Sequence, residues 1–167
     1  VRALLSSGRT FVAHDAKLQI RRLAAAGWPV PETFTDTMLM SYVINPGLPS
    51  HAFGNVARDR LKIDVVARKD VAKTAPLFAI EHEIGSSPLA PYQQYLGEKS
   101  DVAMSLATML EPELRRDPAL LDIYDRIEIP LVPVLARMEK RGIRVDVGLL
   151  RQMNFVMARG RVHRQEP

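Results

Sequence analysis

Tyr95-Leu96-Gly97-Glu98-Lys99-Ser100-Asp101-Val102 opens an apolar-periodic run that reaches Leu110, and its reading governs the rest of the chain. Val102, Leu106, Met109 and Leu110 recur at helical spacing, which predicts an amphipathic helix with one face in a core. Tyr95 and Lys99 stand four residues apart, as do Glu98 and Val102, so each pair projects from one side of a turn. A tyrosine, a lysine and two acids in one turn mark the edge of a site.

Working outward, Asp117-Pro118 starts a further helix on which Ile123, Ile127, Leu131, Val134, Leu135 and Met138 keep register. Pro130 and Pro133 lie inside it, so a kink or break is expected near Ile129. Gly142 stops this helix, Ile143 to Val145 reads as a short extended piece, and Asp146 caps a last helix whose end, from Val162, frays. Upstream, Val1 to Ser7 is a short helical piece stopped at Gly8, and Thr10 to Ala13 is apolar enough for a buried strand. Asp15 reads as the N-cap of a helix over Ala16 to Ala26, ended by Gly27, with Trp28 packing under a proline-rich loop. Thr33 to Thr35 is β-prone, and Asp36 caps a helix running to about Ile44. After the Asn45-Pro46-Gly47 turn, Ser50 is expected to cap a helix from His51 to Leu61, with Phe53, Val56, Ala57 and Leu61 on one face. From Asp64 to Ser87 the pattern weakens. Strands alternating with helices predict a helix-rich α/β fold.

The chain has 167 residues, 47% of them hydrophobic and 25% charged, enough for one core and a short appendage. No membrane-spanning run and no signal peptide is visible, so a membrane partner is not expected. Cysteine is absent, which excludes disulfides and thiolate metal sites and makes a reducing cytoplasm the expected compartment. Because Val1 rather than Met opens the sequence, a segment of a longer protein is expected. The formal net charge is +4, with Arg137, Lys140, Arg141, Arg144, Arg151, Arg159, Arg161 and Arg164 facing only Glu139, Asp146 and Glu166. Such a cluster suits nucleic-acid phosphates, although on charge alone a solvated surface or tail is the simpler account.

Asp36-Thr37-Met38-Leu39, Ser50-His51, Tyr95 to Val102, and Ile127 to Glu139 succeed one another in a fixed order. Together they resemble the family A (DNA polymerase I type) bacterial DNA polymerases over roughly Phe11 to Met153. The run from Ile127 through Arg141-Gly142-Ile143-Arg144-Val145-Asp146 is the most specific part. The resemblance implies a ribonuclease H-like 3'-5' exonuclease fold over residues 1–116, lacking its first strands. Residues 117–167 would then be the helical start of the polymerase (thumb) domain. The family's first exonuclease segment, a strand carrying Asp-x-Glu, would precede Val1.

Removing a 3'-terminal nucleotide by this route needs two Mg²⁺ or similar ions, and hard ions demand converging carboxylates. By resemblance, the family's second segment aligns with Asp15-Ala16-Lys17-Leu18-Gln19, which puts neutral Gln19 where a metal-binding aspartate belongs. The third segment resembles Tyr-x-x-x-Asp, in which the tyrosine orients water. Tyr95 is kept, whereas Lys99 takes the aspartate position, where its ammonium repels divalent ions and can fill the hole that a metal would have filled. Asp101 points around the helix and is a poor stand-in. Asp15 and Asp36 are expected to be helix caps rather than ligands. His51 stands either near the family's single-stranded DNA path or as a helix-start contact. Glu81-His82-Glu83 is expected in a solvated loop, and His14 and His163 form no constellation.

The expected function is a module of a DNA polymerase I-like protein that has lost exonuclease activity and serves DNA synthesis and repair as a scaffold. Gln19, Tyr95 and Lys99 would be vestigial positions, with His51, Tyr95, Arg137, Lys140, Arg141 and Arg144 touching DNA. No metal or cofactor is expected. The expected partners are DNA, the polymerase domain of a longer chain, and a second copy paired through an open sheet edge. Two alternatives stand beside this. One is an active proofreading exonuclease using Mg²⁺ with Asp15, Glu98 or Asp101 and residues upstream of Val1. The other is a stand-alone truncated polymerase-related protein that binds nucleic acid.

Overall fold

Two short β-prone runs, Phe11–Ala13 (β1) and Phe34–Asp36 (β2), pair in parallel with Phe11 opposite Phe34, Val12 opposite Thr35 and Ala13 opposite Asp36. The coordinates come from a computed structural model that describes residues 2–65, 89–144 and 146–162. Glu81-His82-Glu83, most of the weakly patterned stretch and His163 lie outside the described residues. A first short helix, Arg2–Leu5 (α1), precedes β1, and Gly8 and Gly27 take positive φ at the two turns where the sequence stops its helices. Helix α2 (Ala16–Ala25) connects the strands, as a parallel pair requires. Both strands end in a buried residue; β1 reaches α2 after His14 and Asp15, and β2 passes at once into α3 (Thr37–Ile44). The carboxyl ends of parallel strands are where α/β folds gather functional side chains.

Helix α4 (Phe53–Leu61) starts later than the sequence suggests. Ser50 does not cap it: Ala52 occupies the cap position without a side-chain bond, and Ser50 Oγ accepts from Ala52 N–H at 3.2 Å within the preceding turn. Val56 and Ala57 are buried, and Phe53 and Leu61 pack beside them, the face read from the sequence. Arg60 donates to Glu113 Oε2 at 2.9 Å and ties α4 to α5.

Helix α5 (Leu89–Arg115) is the longest element. Its Val102, Leu106, Leu110 and Leu114 join Met40, Val43, Val56, Ala57 and Tyr124 in the main core. Met109 does not: it is 44% exposed. The i, i+4 ladder from Val102 to Leu114 sets the buried stripe, and Met109 lies off it. A second cluster, Ala13, Ala16, Ile20, Val132 and Ala136, packs with Phe11, Phe34 and Leu39.

Asp117 caps α6 (Pro118–Ile123) by accepting from Ala119 and Leu120 N–H, with Pro118 in the first turn. The irregularity expected near Ile129 takes the form of a π-helical turn over Tyr124–Glu128, closed by Ile129 N–H to the Tyr124 carbonyl. The chain then continues as α7 (Ile129–Arg141), with both prolines accommodated. This turn corrects the face read from the sequence. One extra residue in a turn rotates the rest of the helix by about 100°. Val132 and Ala136 are thereby brought inward beyond the turn and Tyr124 is buried at its start, while Ile123, Ile127, Leu131, Val134 and Met138 are exposed.

The described chain divides into two compact units, Val1–Arg137 and Met138–Pro167. In the second, Gly142 takes φ +69 and its N–H reaches the Met138 carbonyl at 3.0 Å, ending the helix. Ile143 and Arg144 form no strand. Asp146 Oδ1 accepts from Leu149 N–H at 3.0 Å at the start of α8 (Val147–Val162). No helix of the described residues is long and apolar enough to cross a membrane.

The packing separates two neighbouring apolar positions. Leu106→Ala should cost about 2–5 kcal/mol in denaturant unfolding, because a fully buried leucine leaves a cavity. Met109→Ala should stay within about 0.5 kcal/mol. Equal losses at both positions would contradict the assigned face.

Candidate functional site

Asp36 is the node of the site. It sits at the end of β2 with 1% exposure, and its carboxylate has four oxygen lone-pair directions to satisfy. Oδ1 accepts from Met38 N–H at 2.9 Å, capping α3, and from Asp15 N–H at 3.0 Å. Oδ2 accepts from Ala16 N–H at 2.7 Å in the first turn of α2. One side chain thus joins the starts of both helices that follow the strands. Burial pushes its carboxyl above the usual aspartate range, against the pull of these backbone donors. The backbone of Asp36 is engaged as well. Its N–H donates to Tyr124 Oη at 2.9 Å, and the Tyr124 hydroxyl faces the Asp36 carbonyl at 3.5 Å. Tyr124 is 3% exposed, and burial raises its phenol well above the ordinary tyrosine range. The π-helical turn that disturbs the apolar register is the same turn that carries this hydroxyl to β2.

Asp15 adopts φ +62, the left-handed region that non-glycine residues visit at a cost, and its Oδ1 accepts from Leu18 N–H at 3.1 Å. The expected cap is therefore present, and the carboxylate is committed to it.

His14, for which the sequence suggested no constellation, is at the centre of one. Its Nε2 lies 2.9 Å from the His51 carbonyl and its Nδ1 2.9 Å from Thr37 Oγ1. Burial pulls its pKa down to about 4; the His51 carbonyl and the Asp15 charge oppose this, and the Lys99 charge adds to it. The ring is therefore neutral at pH 7. A carbonyl only accepts, so Nε2 carries the proton and Nδ1 accepts from the Thr37 hydroxyl, leaving the Ala13 carbonyl at 3.2 Å as the longer alternative.

The His14 ring meets Phe53 edge-to-face with centroids 5.1 Å apart. On the same Phe53 ring rests Lys99 Nζ, 5.1 Å from its centroid and 5.3 Å from that of Tyr95. Tyr95 and Lys99 thus meet on one side of α5, as their spacing predicts, and share their space with His14 and Phe53. No carboxylate pairs with Lys99 among the described residues. His51 Nδ1 bonds Ser41 Oγ at 3.0 Å, and its ring stands edge-on to Tyr42 at 5.5 Å. His51 is a loop residue ahead of α4, so its carbonyl serves His14 while its ring serves α3. Gln19 lies half-buried on α2 with no side-chain partner among the described residues. Arg137 in the first unit, and Lys140, Arg141 and Arg144 in the second, are exposed. No group of three His, Asp or Glu side chains converges among the described residues.

Sequence reasoning missed His14, Thr37, Phe53 and Tyr124 as members of this cluster. His14 directly follows a strand and precedes a cap, a position that signals a strand-end site. Tyr124 carries no such signal, because its partner lies 88 residues away.

The fold defines a helix-rich α/β segment of the kind found in a polymerase domain. It superposes on a solved structure described as the POL domain of Pol1 from M. smegmatis in complex with DNA primer-template and dNTP, with a TM-score of 0.66 and 27% identity. The match covers 94% of this chain and 24% of that one. The sequence is more particular: the chain is similar to a segment of bacterial DNA polymerase I. It is 35% identical over 128 residues to DNA polymerase I of Rhizobium leguminosarum, covering 77% of this chain and 12% of that protein. It is 33% identical over 141 residues to that of Pseudomonas aeruginosa, covering 83% and 15%. The Synechocystis sp. protein is 33% identical over 147 residues, covering 88% and 14%. The chain therefore spans about a seventh of the length of these curated relatives or less. No family model matches it.

Both the carboxylate node and the imidazole can be tested by substitution. Asp36→Ala strips three backbone donors of their acceptor and should cost about 3 kcal/mol or more in denaturant unfolding, whereas a change below about 1 kcal/mol would show that the node is dispensable. His14 has its folded pKa lowered from 6.5 to about 4, so between these values the unfolded chain holds a proton that the folded chain refuses. Its contribution is fully present above pH 6.5 and is lost as pH falls toward 4, by at most about 3 kcal/mol. His14→Gln should flatten that part of the stability–pH curve, and an unchanged curve would contradict the assignment.

Proposed function

We propose that this chain is an exonuclease-like module, with a ribonuclease H-like strand–helix core, in a DNA polymerase I-type protein. It no longer removes 3'-terminal nucleotides and supports DNA synthesis as a scaffold that touches DNA. The observation that carries this reading is Lys99. Where the resemblance calls for a metal-binding aspartate, an ammonium group lies between the Tyr95 and Phe53 rings. Two hard cations bridging a phosphate need several ionised oxygens. The described donor set does not fit them: Gln19 is neutral, Asp15 Oδ1 is committed to Leu18 N–H, Asp101 is exposed, and Asp36 is consumed by backbone donors. Tyr95 remains as the footprint of a water-orienting tyrosine.

The DNA contact in this reading comes from His51 and Tyr95 beside the strand ends and from exposed Arg137, Lys140, Arg141 and Arg144, whose charges suit phosphates without reading sequence. The remaining partners are the rest of a polymerase chain and, through the edge of the short sheet, a second copy; the compartment is the cytoplasm.

Titrating the chain with Mg²⁺ and Mn²⁺ by calorimetry, alongside a 3'-end-labelled single strand, tests the proposal. We expect no saturable binding and no shortening of the strand. Saturable binding together with nucleotide release would overturn it and favour the atypical ligand set built on Asp15, Glu98 or Asp101.

A further inference from the structure

The end of the small sheet opposite the His14 cluster collects positive charge. In a β1–α2–β2 unit the helix runs back past the strands, so the end of α2, the loop over residues 27–32 and the residues entering each strand share one edge. Hydrogen bonds tie these pieces together. Phe11 N–H donates to the Thr33 carbonyl at 3.0 Å, the Thr33 hydroxyl to the Arg9 carbonyl at 3.3 Å, and Trp28 N–H to the Leu23 carbonyl at 2.9 Å. Arg2 of α1 joins them, its guanidinium 5.8 Å from the centre of the Trp28 ring. Arg2, Arg9, Arg21 and Arg22 are all exposed, and so is Glu32, the acid of the loop. Asp15, the other acid in the first 34 residues, caps the far end of α2. Arg22 in the last turn of α2 complements the helix dipole, which gives one of the four charges a purely local reason. Arg2 and Arg9 lie outside α2 and have no such reason. Buried Pro31 anchors the loop, so the charges are presented on a fixed frame.

We propose that Arg2, Arg9, Arg21 and Arg22 form a docking surface for the phosphate backbone of double-stranded nucleic acid. Guanidinium is the cation whose planar fork matches phosphate oxygens. The ring in the patch, Trp28, is half-buried and already faced by Arg2, so it offers no platform on which unpaired bases would stack. Charge is what the surface supplies, and a duplex carries it at about one phosphate per 1.7 Å of axis. The contact is independent of whether 3' ends are cleaved, because it lies at the other end of the strands from the His14 cluster.

The test is fluorescence anisotropy of a short labelled DNA duplex of mixed sequence, in chelator, across a salt series, with the full chain. Replacing Arg9→Gln and Arg22→Gln together should weaken binding about 10-fold or more at low salt and lower the slope of log K against log salt by up to about 1.8, at about 0.9 per phosphate contact. Replacing Arg116→Gln and Arg126→Gln together, the same change in net charge at exposed positions elsewhere, should leave both nearly unchanged. If the Arg9 and Arg22 pair is unfolded by circular dichroism, each single variant carries the comparison with about half the change in slope. The proposal is overturned if the duplex does not bind, or if the two pairs of substitutions weaken binding equally, which would leave only net charge. It is overturned too if polyglutamate, and not the duplex, depends on Arg9 and Arg22, which would assign the patch to an acidic protein segment. A single strand of the same sequence that depends on Arg9 and Arg22 more strongly than the duplex would likewise contradict it.

Discussion

A buried carboxylate must find donors or give up its charge, and at Asp36 that constraint organises the fold. Three backbone N–H groups from two separate helix starts converge on its oxygens, while its own amide is held by Tyr124. Donors of this kind are fixed by main-chain geometry. The β1–α2 and β2–α3 junctions are therefore locked to each other, and the α6–α7 junction is locked to both. Tyr124 opens the π-helical turn already buried, and the extra residue brings Val132 and Ala136 inward after it, while Ile123, Ile127 and Leu131 stay exposed.

The same locking fixes the site. With Thr37 in the first turn of α3 and Ala13 at the end of β1, His14 is held at both ring nitrogens and kept neutral. Its ring edge meets Phe53, and Phe53 and Tyr95 together receive the Lys99 ammonium. A positive charge and a neutral imidazole in one small space are mutually consistent, because the Lys99 charge disfavours protonation of His14.

Much of this was legible in the sequence where local chemistry decides the outcome. Asp15, Asp36, Asp117 and Asp146 are caps because a short acceptor ahead of a helix satisfies free N–H groups, and all four cap as read. The Tyr95–Lys99 pairing stems from helical spacing alone. What could not be read depends on partners distant in the chain or on irregular backbone. Tyr124 reaches Asp36 across 88 residues, and the π-helical turn breaks the assumption of a constant helical period on which the Ile123–Met138 face rested. Ser50 failed as a cap because the chain takes two more residues to enter α4. Met109 failed as a core residue because its neighbours Leu106 and Leu110 already define the stripe.

The central claim is that the cluster at the strand ends is closed to divalent cations by the Lys99 charge. His14 reports on it directly, since its ring lies against the Phe53 ring that carries the ammonium. The decisive measurement is paramagnetic broadening of the His14 imidazole proton resonances on titration with Mn²⁺ at neutral pH. The account predicts that these lines keep their width up to concentrations that broaden only exposed acidic residues. Selective, saturable broadening of His14 at low Mn²⁺ would contradict it.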